Sequence, residues 1–124
     1  QRAGYAAFRA GNECAIEMRN SYLKRRDLVF DKLNSISNLK VNLPKGAFYF
    51  FPEIDNIIGK IDKKGVEIKS SNDLAMYLLE DAKISLVPGE DFGAPNCIRL
   101  SYAASESDLV EACKRLDRSI QKLN

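Results

Sequence analysis

Two structural signals meet in the stretch Val87-Pro-Gly-Glu-Asp-Phe-Gly-Ala-Pro-Asn-Cys-Ile-Arg-Leu-Ser-Tyr-Ala103, a turn-rich loop and a short β-rich segment. Strand alternation over residues 98–102 places three apolar side chains on one face, and Arg99 with Ser101 on the other. A guanidinium is a rigid planar fork that matches a carboxylate or a phosphate. Since most arginines on sheet faces are simply solvated, Arg99 alone does not establish a binding site. The stretch therefore predicts a strand that carries one cation beside a glycine-containing loop.

Three further segments are predicted as strands. Residues 39–43 alternate apolar with polar side chains, residues 47–51 are rich in aromatics, and residues 84–87 form a short run that ends at Pro88. The turn residues 44–46 separate the first two segments by a short distance. We therefore expect these two strands to pair as an antiparallel hairpin.

Helical patterns occur in four places. Residues 1–10 are rich in alanine, residues 13–37 repeat apolar side chains at helical spacing, and Ser71 is expected to cap a helix that runs to about residue 82. Ser105 and Asp108 have the spacing of a capping box at the start of the last helix. That helix has a continuous apolar stripe of Leu109, Ala112, Cys113, Leu116, Ile120 and Leu123.

This order of elements predicts an α+β fold. We expect a two-layer sandwich in which three helices cover one face of a small, mostly antiparallel sheet. The opposite face would then be free for Arg99 and Ser101. A chain of 124 residues is long enough to bury one core of this kind.

Composition argues against several functional classes. The hydrophobic content of 45% and charged content of 29% are those of an ordinary soluble protein, and no apolar run approaches the roughly 20 residues of a membrane span. The net charge is +2 and the basic clusters are interleaved with acids, so nucleic-acid and membrane binding are not expected. Gln1 begins without a methionine, which suggests a truncated chain or a proteolytic fragment.

The reactive residue types are few. The chain has no histidine, which removes Ser-His and Cys-His nucleophile systems and the commonest metal ligand. Its three cysteines have no C-x-x-C spacing, so we expect no disulfide framework or zinc site, and a cytoplasmic location. Lys40 follows a serine-containing helix end, where we expect it to be solvated. We predict no catalytic, cofactor-binding or metal-binding residue in this chain.

Four segments of the chain match known sequence motifs, and the matches occur in the expected order. They are Tyr22 with Arg25-Arg-Asp27, then Pro44-Lys-Gly-Ala-Phe-Tyr-Phe-Phe-Pro52, then the stretch 87–103, and finally Ser105-Glu-Ser-Asp-Leu-Val-Glu-Ala-Cys-Lys-Arg-Leu116. They resemble the Y-x-x-R-R-D, P-x-G-x-F-Y, P-G-x-x-F-G…R-L-S-x-A and S-x-x-x-L-x-E-A-x-x-R-L patterns of class I and II aminotransferases, the fold-type I enzymes that use pyridoxal phosphate. In that family all four belong to the small C-terminal domain and the helix that leads into it.

The resemblance implies a division of the chain and two substrate-binding residues. Residues 13–124 would be the small domain, and residues 1–12 the remnant of a helix that packs on a missing large domain of the same polypeptide. Arg99 would bind the α-carboxylate of the amino-acid substrate, and Phe48 would face the substrate cleft. A core position for Phe48 remains equally open.

The resemblance also implies an activity for the full-length parent. That enzyme would use pyridoxal phosphate to exchange an amino group between an amino acid and a 2-oxo acid, and would be a homodimer. The present chain has no counterpart of the cofactor lysine, so it would bind no cofactor and be inactive alone. Lyases and decarboxylases of the same superfamily have similar small domains, so the reaction type and the amino-acid preference stay open.

Two other functional classes remain. One is a free-standing α+β ligand-binding or regulatory module, in which Arg99 would sense a carboxylate. The other is an interaction or oligomerisation domain without a small ligand. Four motifs in the correct order favour the enzyme.

Overall fold

The computed structural model describes the backbone of residues 1–124 and every side chain except that of Cys14. The described backbone contains four α-helices, three short strands and one 3₁₀ turn, which confirms the predicted α+β class. In chain order the elements are α1 (Arg2–Arg9), α2 (Glu13–Asn34), β1 (Tyr49–Phe50), α3 (Ser71–Asp81), β2 (Val87–Pro88), the 3₁₀ turn (Gly89–Phe92), β3 (Ile98–Ser101) and α4 (Glu106–Ile120).

The three strands form one antiparallel sheet in the order β1-β3-β2. In the central strand β3, Ile98 and Leu100 are buried, whereas Arg99 is half-buried and Ser101 is exposed. This alternation is the one that the sequence predicts, and it follows from the period of two in a strand. Arg99 therefore lies on the outer face of the sheet.

The predicted hairpin between residues 39–43 and 47–51 is wrong. The first segment contributes only an isolated antiparallel bridge, in which the backbone N–H groups of Lys40 and Glu53 each donate to the other residue's carbonyl at 3.1 and 2.9 Å. The second segment pairs with β3 instead, because Phe50 is fully buried and its ring lies 5.3 Å from that of Tyr102. Burial of one aromatic side chain thus outweighs the short connection that favoured a hairpin.

Of the two helix caps predicted from the sequence, one is wrong and the other is confirmed. Ser70, not Ser71, caps α3, since its Oγ accepts a hydrogen bond from the Asp73 backbone N–H at 3.1 Å. Ser71 is the first helical residue and is fully buried. In α4, the Ser105 Oγ accepts from the Asp108 backbone N–H at 3.1 Å, as the capping spacing predicts.

The core lies between the inner face of the sheet and helices α2, α3 and α4. Helix α4 contacts both α2 and α3, and α3 also contacts β2. The predicted stripe of α4 is confirmed, with Ala112 partly buried and the other members buried. The fully buried residues that join the elements are Val29, Leu33, Phe50, Leu74, Leu78, Ile98 and Leu116.

Helix α1 forms where the sequence predicts it, but it buries none of its side chains. Tyr5 is 63% exposed and Phe8 is 94% exposed. Among the described helices, none is long and apolar enough to cross a bilayer.

Candidate functional site

The loop between β2 and β3 has a shape that only glycine permits at its first position. A Cβ on Gly89 would collide with the carbonyl oxygens of Ala94 and Cys97. These close approaches accompany two backbone hydrogen bonds, from Gly89 N–H to Cys97 O at 2.8 Å and from Ala94 N–H to Gly89 O at 3.0 Å. Gly93 ends the 3₁₀ turn at a φ of 71°, in the left-handed region. The loop therefore folds tightly back and carries Phe92 to the outer face of the sheet.

Arg99 lies between two aromatic rings on that face. Its Cζ atom is 4.5 Å from the centroid of the Phe92 ring and 5.5 Å from that of the Tyr49 ring. The β1–β3 register explains the second contact, because Tyr49 pairs with Ser101 and so projects on the same side of the sheet as Arg99. Both contacts are within the range at which an aromatic face attracts a cation.

The guanidinium of Arg99 meets no carboxylate of the described residues within 4.0 Å. Of the seven other arginines, only two form an ion pair with an acid of the described residues. Arg26 pairs with Asp27 at 2.7 Å, and Arg115 with Glu111 at 2.9 Å. Arg99 thus keeps its positive charge uncompensated by an acid, and an anion could accept two parallel hydrogen bonds from it.

Phe48 belongs to a different surface feature from Arg99. Its ring is 53% exposed, so the alternative of a core position does not hold. The ring packs against Tyr49 at 6.0 Å and Tyr22 at 6.5 Å between centroids. It lines a groove of about 530 Å³ between α2 and residues 44–48, and Arg99 is not among the side chains that line this groove. Tyr49 contacts both predicted site residues.

Sequence reasoning missed the contacts of Tyr49 and Phe92 with Arg99. Two signals point to them. Tyr49 and Phe51 alternate with the buried Phe50, so they share the outer face with Arg99 once β1 pairs with β3. Phe92 stands directly before Gly93 in a turn that must reverse direction. The signal for Tyr49 is usable only with the pairing partner of β1, which the sequence does not reveal.

The other reactive groups that the structure describes do not form a catalytic cluster. Burial raises the pKa of the Cys97 thiol, helped by the nearby negative charges of Glu53 and Asp55. Burial also raises the pKa of Cys113, which disfavours the reactive thiolate form. Among the described residues, no group of three or more His, Cys, Asp or Glu side chains could hold a metal ion.

Comparison with known proteins gives a consistent family assignment. The family model described as aminotransferase class I and II matches residues 1–116. The aspartate aminotransferase of Rhizobium meliloti (strain 1021) is 40% identical over 124 residues, which cover 100% of this chain and 30% of that protein. The chain thus spans about 30% of the length of this curated relative.

Solved structures show the same architecture. A crystal structure of the aspartate aminotransferase from Rhizobium meliloti superimposes with a TM-score of 0.93 at 38% identity, covering 98% of this chain and 30% of the other. An aromatic aminotransferase from Pyrococcus horikoshii OT3 gives a TM-score of 0.72 at 35% identity, covering 88% and 27%.

Proposed function

This chain belongs to the class I and II aminotransferase family, and on that premise we propose that it is part of an enzyme that transfers an amino group between an amino acid and a 2-oxo acid. In that enzyme Arg99 binds the α-carboxylate of the substrate. The observation that carries this role is a half-buried guanidinium that faces two aromatic rings and no acid of the described residues.

The choice of the α-carboxylate follows from what different substrates share. The similar proteins are named for aspartate and for aromatic amino donors, whose side chains differ in charge and size. Every amino acid and every 2-oxo acid in such a reaction has a carboxylate next to the reacting carbon. A single planar cation can therefore serve both substrates of the exchange, whatever the side chain.

The physical contribution of Arg99 is binding and orientation. Two parallel hydrogen bonds to one carboxylate fix two substrate atoms. The substrate can then reorient less, so the direction of its Cα–H bond is better defined. Hydrogen bonds to a charged group contribute about 1.5–3 kcal/mol each. Because Arg99 lies on the face opposite the core, these contacts can form without disturbing the packing of β3.

Pyridoxal phosphate does not fit the residues of this chain. When bound, the cofactor supplies an electron sink for the substrate carbon and is anchored by a lysine that must lose its proton. Burial favours that loss, yet no lysine here is buried. Lys40 is exposed, and a 2.7 Å hydrogen bond to Glu53 raises its pKa. In the full-length enzyme the large domain holds the cofactor.

This assignment also gives a role to each part of the chain within the enzyme. Residues 13–124 act as the small domain, and residues 1–12 belong to a helix that packs on the large domain. Phe48 is the second substrate contact, since its exposed ring adjoins Tyr49 beside Arg99. The enzyme is a homodimer, and the isolated chain is inactive.

Arginine substitution in the full-length enzyme tests the proposal. Arg99→Ala should lower kcat/KM by about 10²–10⁴-fold with two amino donors of different side chain, because both lose the same carboxylate contact. Arg99→Lys should recover only part of the loss, since an ammonium cannot reproduce the planar fork. Arg115→Ala is a matched control, because this arginine pairs with Glu111 on the surface of α4. Unchanged kinetics of Arg99→Ala with both donors would remove Arg99 from the site.

The isolated chain offers a separate test of the cofactor assignment. Titration with pyridoxal phosphate should give no saturable one-site complex, and no transamination should follow. A stoichiometric complex that disappears when one lysine is changed would show that this chain contains the cofactor site.

A further inference from the structure

Two aromatic rings contact Arg99, and a third ring contacts one of these two. Phe92 and Tyr49 approach the guanidinium at 4.5 and 5.5 Å. Phe92 is itself held by Phe51, whose ring meets it edge to face at 6.0 Å and an interplanar angle of 90°. Edge-to-face contact is a favoured geometry for aromatic pairs, so Phe92 is not free to turn away without losing a partner.

Rings and acids hold an arginine in different ways. A carboxylate partner occupies the N–H donors and compensates the charge, as Asp27 does for Arg26. An aromatic face instead attracts the cation through the ring quadrupole and leaves the N–H donors at the guanidinium edge unused. Flanking rings are therefore suited to fix the plane of an arginine that must still receive an anion.

The loop geometry gives Phe92 a defined place. Gly89 allows the close backbone approach to Ala94 and Cys97, and Gly93 supplies the left-handed residue that ends the turn. A turn built in this way sets the position of Phe92 by its backbone. The spacing Pro-Gly-x-x-Phe-Gly over residues 88–93 thus reverses the chain and also brings the Phe92 ring against Arg99.

We propose that Phe92 and Tyr49 are positioning residues, which hold the Arg99 guanidinium in the orientation that receives the substrate carboxylate. This inference rests on the proposed function of Arg99. The two rings act through Arg99 by fixing its plane before the substrate arrives, so that little side-chain freedom is lost on binding.

Ring replacement in the full-length holoenzyme tests the inference. Phe92→Leu removes the aromatic face at similar apolar character, and it should raise KM for both the amino donor and the 2-oxo acid by about 3- to 30-fold, the range of a partly desolvated cation–π contact. The value of kcat should change much less, because the contact acts on carboxylate binding in every bound state. Phe92→Tyr keeps the ring and should restore KM to within about twofold of the wild-type value.

Tyr49 provides an independent arm of the same test. The Phe92 and Tyr49 side chains are 50% and 38% exposed, so their loss opens no core cavity and the unfolding midpoint should stay close to that of the wild type. Tyr49→Leu should raise KM for both substrates, and Tyr49→Phe should not. A merely structural role would lower the unfolding midpoint and leave KM unchanged, and that result would overturn the inference.

Arg99→Ala separates the two proposals. If Arg99→Ala impairs the enzyme whereas both leucine variants keep the wild-type KM, the role of Arg99 stands and the positioning role is refuted. If Arg99→Ala itself is without effect, the proposed function fails and the inference fails with it. Raised KM in both leucine variants, with recovery in Phe92→Tyr and Tyr49→Phe, supports the inference.

Discussion

Helices α1 and α4 both carry apolar side chains but have opposite environments. Helix α4 buries Leu109, Cys113, Leu116 and Ile120 against the rest of the chain, whereas α1 buries none of its side chains and leaves Phe8 almost fully exposed. An apolar stripe stabilises a helix only when a partner covers it. The exposed Tyr5 and Phe8 of α1 have no such partner among the described residues, which agrees with the proposal that this helix packs on another domain of the parent enzyme.

Hydrogen exchange of the isolated chain should show the largest difference between these two helices. Amides of α4 should exchange only on global unfolding, for which a domain of this size has a free energy of about 5–15 kcal/mol. Amides of α1 should exchange nearly as fast as those of an unfolded peptide, because no tertiary contact protects them. Slow exchange in α1 of a dilute monomer would contradict the contrast.

Truncation of one apolar side chain in each helix should give the next largest effect. Leu116 is fully buried, so Leu116→Ala should lower the free energy of unfolding by about 2–5 kcal/mol in denaturant titrations. Phe8→Ala in the isolated chain should change it by less than about 0.5 kcal/mol, since the ring is 94% exposed. In the full-length enzyme Phe8→Ala should become clearly destabilising. Equal costs for Phe8→Ala in the two proteins would argue against the proposed domain contact.

Two glycines extend the comparison to the backbone. Gly89→Ala places a methyl group against the carbonyl oxygens of Ala94 and Cys97, and should destabilise the chain by about 1–3 kcal/mol as the loop shifts. Gly4 lies within α1 and has no atom near its would-be Cβ, so Gly4→Ala is the matched control. It should leave the global unfolding transition unchanged and increase the helicity of α1, which circular dichroism reports. A silent Gly89→Ala would show that the loop can accommodate a methyl group at this position without loss of stability.

The polar contact between α3 and α4 should give the smallest effect. Hydrogen bonds from Lys122 and Ser119, both 2.6 Å long, lower the pKa of Asp81. A lowered carboxyl pKa adds stability that is present above the unfolded-state pKa near 3.8 and is lost as pH falls through the folded-state value. Lys122→Met should therefore cost about 0.2–1 kcal/mol at pH 6, and the difference from the wild type should vanish in strong acid. A cost that is the same at pH 6 and in strong acid would show that the ion pair is not its source.

Much of this fold follows from local patterns in the sequence. The stripe of α4, its Ser105 cap and the two faces of β3 are short-range features, set by periods of 3.6 and 2 and by one capping hydrogen bond. The partner of β1 is not local. Residues 47–51 could pair with the preceding segment across a tight turn, and the burial of Phe50 in the core decides the matter in favour of β3.

The candidate site shows the same difference between local features, which the sequence predicts, and non-local ones, which it does not. Arg99 is recognisable from strand alternation and motif resemblance, because both are read from consecutive residues. Its neighbours Tyr49 and Phe92 come from segments 50 and 7 positions away in the numbering, and only the β1–β3 register and the turn at Gly89 bring them to it. The sequence alone therefore identifies the cation but not the rings that hold it.

The most direct test changes both Arg99 and the substrate carboxylate that it is proposed to bind. In the full-length enzyme, kcat/KM would be measured for an amino acid and for its α-carboxamide, with the wild type and with Arg99→Ala. If Arg99 binds the α-carboxylate, the wild type should prefer the carboxylate by orders of magnitude, and the variant should lose most of that preference, because the two changes remove one interaction. An equally strong preference in Arg99→Ala would show that the carboxylate is bound elsewhere and would contradict the central claim.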